Sequence, residues 1–202
     1  MLIGSFIISL TPTKYQIYTR LVVSLILFFS MIRISRKEFD NVIEQINEVL
    51  DTGAFITAVV TFMIFAINIA LTFLSYTLFK QTTVNNNIIS MLYSKHPYII
   101  GLIVILILPF VEEILFKAQI FKNTKSLDNH KVIKTIIIAL LFACFHCITE
   151  IVTLNYKVII SMINYILFYS ITNTIYIRSN YNIMKPIAIH MLLNALSLII
   201  SL

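Results

Sequence analysis

The chain has 202 residues, of which 59% are hydrophobic and only 12% are charged, and its mean hydropathy is +0.93. This apolar content exceeds that of ordinary soluble domains and indicates an integral membrane protein. The formal net charge of +6 could suggest a nucleic-acid partner, but the basic residues lie singly or in small groups between apolar runs, so we expect no nucleic-acid partner.

Apolar runs define the predicted membrane spans, since a transmembrane helix needs about 20 apolar residues. Six such runs lie at residues 17–34, 53–79, 98–121, 132–149, 157–177 and 183–202. A further run at residues 1–10 has no positive region and no clear cleavage pattern, so we expect a short anchor or re-entrant segment rather than a removable signal peptide. The sequence therefore predicts an all-α, polytopic transmembrane helix bundle of about six spans. It forms one membrane domain, residues 1–202, with N-terminal spans in 1–97 and a motif-bearing core in 98–202.

The basic residues also predict the orientation of this bundle. Ten Lys and Arg residues fall on one side and five, including Arg20, fall on the other. Because cytoplasmic loops carry the excess of positive charge, we expect a multi-pass protein of the cell membrane whose candidate site opens towards the cytoplasmic half.

An amphipathic helix is predicted between the first two spans. Residues 38–51 place apolar side chains at helical spacing, and Ser35 followed by Glu38 matches a capping box. The polar face of this helix is acidic. Packing on the bundle or on a basic protein partner therefore explains it better than attraction to anionic lipid.

Two adjacent glutamates, Glu112 and Glu113, lie in the middle of the third apolar run. Charged side chains at bilayer depth are costly and usually mark function. Pro109 precedes them and predicts a bend and a loosened backbone, which would make room for a cavity. Glu113 and Lys117 are four residues apart in the order that favours an ion pair, so the two carboxylates should have different surroundings and different proton affinities. The alternative is a purely structural ion pair, although one carboxylate would serve that purpose at lower cost.

The later apolar runs carry two histidines. His146 follows Phe142 on one helix face, and Glu150 lies one turn further on, where it could orient the imidazole ring. His190 and Asn194 repeat the same four-residue spacing. A single intramembrane histidine is often only an interhelical hydrogen-bonding group, but a pocket shared by three spans would satisfy every costly polar group at once.

These groups are sufficient for adding water to a peptide carbonyl. A glutamate with His146 would deprotonate the water, while His190 and Asn194 would donate hydrogen bonds to the developing oxyanion. This mechanism requires no cofactor. The same carboxylates and imidazoles could instead bind a divalent metal such as zinc, and although the sequence has no H-E-x-x-H helix, it leaves this alternative open.

Three motifs in order resemble those of the CPBP family, which contains CAAX prenyl endopeptidases and bacteriocin-processing or Abi proteins. The family motifs EExxxR, FxxxH and HxxxN correspond to residues 112–117, 142–146 and 190–194. The resemblance covers roughly the C-terminal half. It implies an all-helical intramembrane endopeptidase in which Glu112 and His146 activate water, Glu113 supports the site, and His190 and Asn194 hold the oxyanion.

Lys117 departs from the family pattern, because it stands where the motif has arginine and lacks the planar fork of a guanidinium. A second hypothesis is therefore a catalytically silent membrane scaffold or a bacteriocin self-immunity protein, acting through the acidic helix at residues 38–51. A third, a proton-coupled carrier, is disfavoured because no paired half-chain repeats are visible. We favour an enzyme that acts on a peptide or a bacterial membrane protein, because the five residues with an implied catalytic role are all present: Glu112, Glu113, His146, His190 and Asn194.

Overall fold

The protein is represented by a computed structural model that describes residues 15–51, 53–80, 84–127 and 129–200. These residues form helices and no strand. The helices are α1 Gln16–Ile34, α2 Val42–Leu50, α3 Ala54–Phe79, α4 Val84–Lys95, α5 Pro97–Phe121, α6 Lys131–His146, α7 Ile148–Val152, α8 Ile159–Arg178 and α9 Met184–Ile200. The predicted N-terminal segment at residues 1–10 lies outside the described residues.

Four helices of the described chain, α1, α3, α5 and α8, are long and apolar enough to cross a membrane. Helix α9 is a shorter apolar helix. Helix α6 is also short, because the backbone leaves the helical conformation at Cys147 (φ −106°, ψ 19°). Its 16 residues span about 24 Å, so this helix is shorter than the one that the apolar run at 132–149 predicts. The predicted all-α membrane helix bundle is confirmed, and the 12-residue helix α4 is an element that the sequence analysis did not anticipate.

Helix α5 occupies the centre of the bundle. In its apolar window 56% of the residues are buried inside the protein, against 11% for α1 and 17% for α3. Its backbone is π-helical at Leu102–Ile107 and Ile114–Phe121, on either side of an α-helical segment Leu108–Glu113. The loosening predicted around Pro109 therefore takes the form of π-helix, which widens the turns next to the two glutamates.

The acidic helix packs on the bundle, as one of the two predicted alternatives required. In α2, the Gln45 side-chain carbonyl accepts a hydrogen bond from Ile183 N at 3.1 Å. Glu48 accepts one from Asn182 at 2.8 Å and pairs with Lys185. The hydrogen bonds from Lys185 and Asn182 lower the pKa of the Glu48 carboxyl below its usual value. Helix α2 thereby fixes the start of α9, which carries a candidate histidine.

The capping box predicted at Ser35 is wrong. The predicted helix 38–51 is divided into a 3₁₀ turn at Arg36–Phe39 and helix α2, and neither has a side-chain cap. The Ser35 hydroxyl instead accepts a hydrogen bond from Gln119 Nε2 at 2.5 Å. A tertiary contact with α5 has taken the oxygen that the local motif would have used.

Aromatic side chains of α5, α6 and α8 pack against one another beside the candidate histidines. Phe142 of α6 stacks on Tyr169 of α8 with ring centroids 4.0 Å apart, and both rings meet Phe116 of α5 edge-on. Phe168 lies edge-on to the ring of His190 at 4.8 Å. These interlocked rings leave few alternative positions for the polar side chains that emerge beside them.

Candidate active site

Residues from α5, α6 and α9 meet at a cavity of about 230 Å³. Glu112, His146, His190 and Asn194 all line it, while Glu113 and Lys117 lie behind it, fully buried. A trapped water needs only about 10–15 Å³ of such volume. The cavity therefore has room for a reacting water and for part of a larger ligand.

Glu112 lines this cavity, and its Oε2 atom has no hydrogen bond to a described residue. That oxygen lies 3.6 Å from Nε2 of His146 and 3.8 Å from Nε2 of His190. Both separations exceed a direct hydrogen bond. The carboxylate is thus held near two imidazoles and remains able to contact a small molecule between them.

His146 is oriented by the backbone of its own helix. Its Nδ1 lies 3.2 Å from the carbonyl oxygen of Phe142, and its ring stacks on that phenyl ring with centroids 4.2 Å apart. Because a carbonyl can only accept, Nδ1 carries the hydrogen, and a neutral ring then presents the lone pair of Nε2 towards Glu112.

The prediction that Glu150 orients the ring of His146 stays a prediction. Helix α6 ends at His146, and Glu150 lies in the separate helix α7. The side chain is buried. The described contact of His146 Nδ1 is with the carbonyl oxygen of Phe142, one turn earlier in α6.

Glu113 is fully buried, and its carboxylate accepts hydrogen bonds from side chains of two other helices. It forms the predicted ion pair with Lys117. Its Oε1 accepts a hydrogen bond from Nδ1 of His190 at 2.9 Å, and the Tyr169 hydroxyl donates to Oε2 at 3.5 Å. The carboxylate therefore fixes His190 so that the other ring nitrogen, Nε2, points towards Glu112 and the cavity.

Lys117 is also fully buried, and its ammonium group is surrounded by acceptors. Besides Glu113, it contacts the Thr172 hydroxyl at 3.2 Å and lies 3.8 Å from the centre of the Tyr169 ring face. A hydroxyl and a cation–π contact thus occupy the directions that the ion pair leaves open. Thr172 and Tyr169 were not anticipated, because polar positions in α8 carry no motif.

Asn194 satisfies a carbonyl that Pro109 leaves unpaired. The N–H of Leu108 bonds to Ile103 O in the π-helical register, so the next N–H in that register would reach Val104 O. Residue 109 is proline and has no N–H. The Asn194 amide donates to Val104 O at 2.9 Å instead. In this structure its N–H therefore supports the bent helix, and the predicted oxyanion contact stays a prediction.

The opposite wall of the cavity contains polar residues that the sequence analysis did not assign to the site. Arg20 of α1, Asn68 of α3 and Asn164 of α8 line the same space. Asn164 Nδ2 donates to Asn68 Oδ1 at 2.9 Å. The sequence analysis uses Arg20 only to predict orientation. Its position inside an apolar helix is a signal that could have indicated a functional role.

The arrangement of the described His, Cys, Asp and Glu side chains bears on the metal alternative. Their His, Cys, Asp and Glu side chains form no group of three or more that could hold a metal ion. Cys144 and Cys147 are free thiols, and Cys147 is completely buried. The divalent metal stays an alternative, and the mechanism proposed below uses side chains alone.

Comparison with known families matched the profile described as Type II CAAX prenyl endopeptidase Rce1-like to residues 94–196. The matched segment contains all the residues of the three motifs. No curated protein and no solved structure matches the chain.

Proposed function

Because the chain belongs to the Rce1-like type II CAAX prenyl endopeptidase family, we propose that it is an intramembrane endopeptidase that cleaves a peptide or membrane-protein substrate with water activated by Glu112 and His146. The family is a protease family. The particular mechanism follows from the arrangement of acceptors around the cavity.

The pairing of two acceptors, Glu112 Oε2 and His146 Nε2, is the observation that carries this proposal. They face each other across 3.6 Å, and Nδ1 of the histidine already donates to Phe142 O. A carboxylate and an imidazole lone pair have no hydrogen to share with each other. A water that donates one hydrogen to each would satisfy both, and its oxygen would become more nucleophilic.

The activated water then attacks the substrate, and the peptide bond breaks in a second step. The water oxygen bonds to the scissile carbonyl carbon, and one of its protons passes to Glu112. The carbonyl oxygen becomes an oxyanion. Collapse of this tetrahedral species breaks the C–N bond, and Glu112 returns the proton to the departing amine.

His190 is the proposed donor to the oxyanion. Its Nδ1 hydrogen is committed to Glu113 at 2.9 Å, so donation from Nε2 requires the imidazolium form. Glu112 Oε2 lies 3.8 Å from Nε2, and Glu113 accepts the hydrogen bond from Nδ1, so both carboxylates lie beside this ring.

The proposed enzyme is a multi-pass protein of the cell membrane with its cavity opening towards the cytoplasmic half. The excess of basic residues in one set of loops supports this orientation. The chemistry uses no metal, and its partners are the substrate and the bilayer. Glu38 and Glu48 of the acidic segment pair with Lys122 and Lys185 of the bundle, which leaves less acidic surface for a protein partner.

The test is peptide hydrolysis by the purified protein in proteoliposomes, using a proteome-derived peptide library and mass spectrometry. We expect Glu112→Gln and His146→Ala to lower the rate by about 10²- to 10⁴-fold at unchanged protein level. Glu44→Gln, the same change on the exposed face of α2, is the matched control.

Retained hydrolysis in the Glu112→Gln variant would refute the mechanism. Absence of hydrolysis by the unmodified protein, combined with a cellular phenotype that survives Glu112→Gln, would instead favour the silent scaffold.

A further inference from the structure

Arg20 is a cation in the wall of the proposed catalytic cavity, and it has no counter-ion among the residues that the structure describes. It lies in the membrane-spanning helix α1 and lines the cavity with Glu112 and His190. Its Nε atom is buried and has no hydrogen-bond partner among the described residues. A buried donor without a partner is destabilising, and an ionisable residue at membrane depth usually has a functional partner.

The described part of the protein does not supply that partner. Glu112 is the one carboxylate among the described residues that line the cavity, and the charged groups that it approaches within 4 Å are His146 and His190. The other acidic residue of α5, Glu113, is occupied by Lys117 and His190. The guanidinium therefore has room for an anion that arrives from outside.

Two amides distinguish a peptide from other anions. Asn68 and Asn164 line the same cavity and are joined by a hydrogen bond that uses Asn68 Oδ1 and Asn164 Nδ2. The remaining amide N–H₂ and carbonyl of this pair are a donor and an acceptor, which is what an extended peptide backbone requires. A lipid phosphate has acceptors only and would use half of this pair.

We infer that Arg20 binds a carboxylate of the substrate peptide, so that the enzyme selects apolar peptides that carry a carboxylate within reach of the cleaved bond. The inference rests on the proposed function for the identity of the ligand. A guanidinium fork matches a carboxylate with two parallel hydrogen bonds, and it is strongest in an enclosed apolar site. The carboxylate is either the C-terminus of the peptide or an acidic side chain.

Binding measurements separate this inference from hydrolysis. The probes are fluorophore-labelled apolar pentapeptides of alanine, valine and isoleucine: one with a free C-terminus, one amidated, and one amidated with a central glutamate. Their affinities are measured by fluorescence anisotropy on the Glu112→Gln protein in detergent micelles, with Arg20 intact or changed by Arg20→Met or Arg20→Lys. Loss of hydrolysis on Glu112→Gln is scored separately, so failure of the catalytic mechanism is visible in a different readout.

With Arg20 intact, we expect at least one carboxylate peptide to bind about 10- to 100-fold more tightly than the neutral amide, since hydrogen bonds to charged groups have this strength. The free C-terminus and the central glutamate distinguish the two sources of the carboxylate. Arg20→Met should remove the preference, and Arg20→Lys should retain part of it because the charge remains.

Equal affinity of the acid and amide peptides, including no measurable binding of either, would overturn the inference. A preference that survives in Arg20→Met would also overturn it. Displacement of the peptides by phosphatidylglycerol without an acid–amide difference would assign Arg20 to lipid instead. The comparison with intact Arg20 needs no substitution at that position, so it stands even where Arg20→Met fails to fold.

Discussion

Replacing Lys117 with methionine tests how much the buried ion pair on α5 contributes to the fold. Both partners, Lys117 and Glu113, are completely buried, so Lys117→Met would leave a carboxylate in an apolar interior without its ammonium. Breaking such a pair typically destabilises a protein by about 3–5 kcal/mol. Because His190 and Tyr169 still donate to the carboxylate, we expect a loss near the lower end, about 3 kcal/mol.

The assay is the free energy of unfolding in detergent micelles, measured by denaturant titration. The double variant Lys117→Met with Glu113→Gln should recover much of the loss, because it removes the uncompensated charge as well. Lys122→Met is the matched control: Lys122 contacts Glu38 at 2.7 Å, but its side chain is 50% exposed. An exposed pair of this kind contributes less than about 1 kcal/mol.

Similar losses in Lys117→Met and Lys122→Met would refute the reasoning, because burial would then have no effect on the strength of the pair. Strict additivity in the double variant would refute it as well, since it would mean that the two side chains do not interact.

Three further predictions concern other parts of the molecule. Asn194→Leu should destabilise the protein by about 1–3 kcal/mol, because Val104 O loses its hydrogen-bond donor. The loss should be smaller in combination with Pro109→Ala, which restores a backbone N–H. Unfolding titrations measure both effects. Peptide hydrolysis should continue at the same rate after dialysis against EDTA, since the proposed steps use no metal. The Glu48 contribution should be complete above the ordinary glutamate pKa of 4.5 and lost as the pH falls through the lower folded pKa, so thermal unfolding of Glu48→Gln should match the unmodified protein in acid.

Each of these predictions has a clear contrary result. An equal cost of Asn194→Leu with and without Pro109→Ala would show that the amide does not replace the missing proline N–H. Inactivation by EDTA with recovery on adding zinc would refute the proposed metal-free mechanism and favour the metal alternative. A stability difference between Glu48→Gln and the unmodified protein that widens as the pH falls would contradict the sign of the Glu48 effect.

Local spacing explains which parts of the site were predictable. The four-residue spacing on one helix predicted the ion pair of Glu113 and Lys117, and the structure contains this pair. The same spacing between His146 and Glu150 does not lie within one helix, because α6 ends at His146 and no sequence signal marked that end, so the role of Glu150 stays a prediction. The capping box predicted at Ser35 is wrong because a residue distant in the chain, Gln119, donates a hydrogen bond to the Ser35 hydroxyl.

The sequence by itself determined the membrane environment, the all-α class and the set of chemically active side chains, because these depend on composition, on apolar run length and on the identity of residues at short separations. Only the tertiary structure decided the pairings. His190 meets Glu113 across 77 residues, and Asn194 reaches Val104 across 90. Arg20 joined the site for the same reason, since the wall of a cavity is formed by helices that are distant in the chain and come together only when their apolar faces pack.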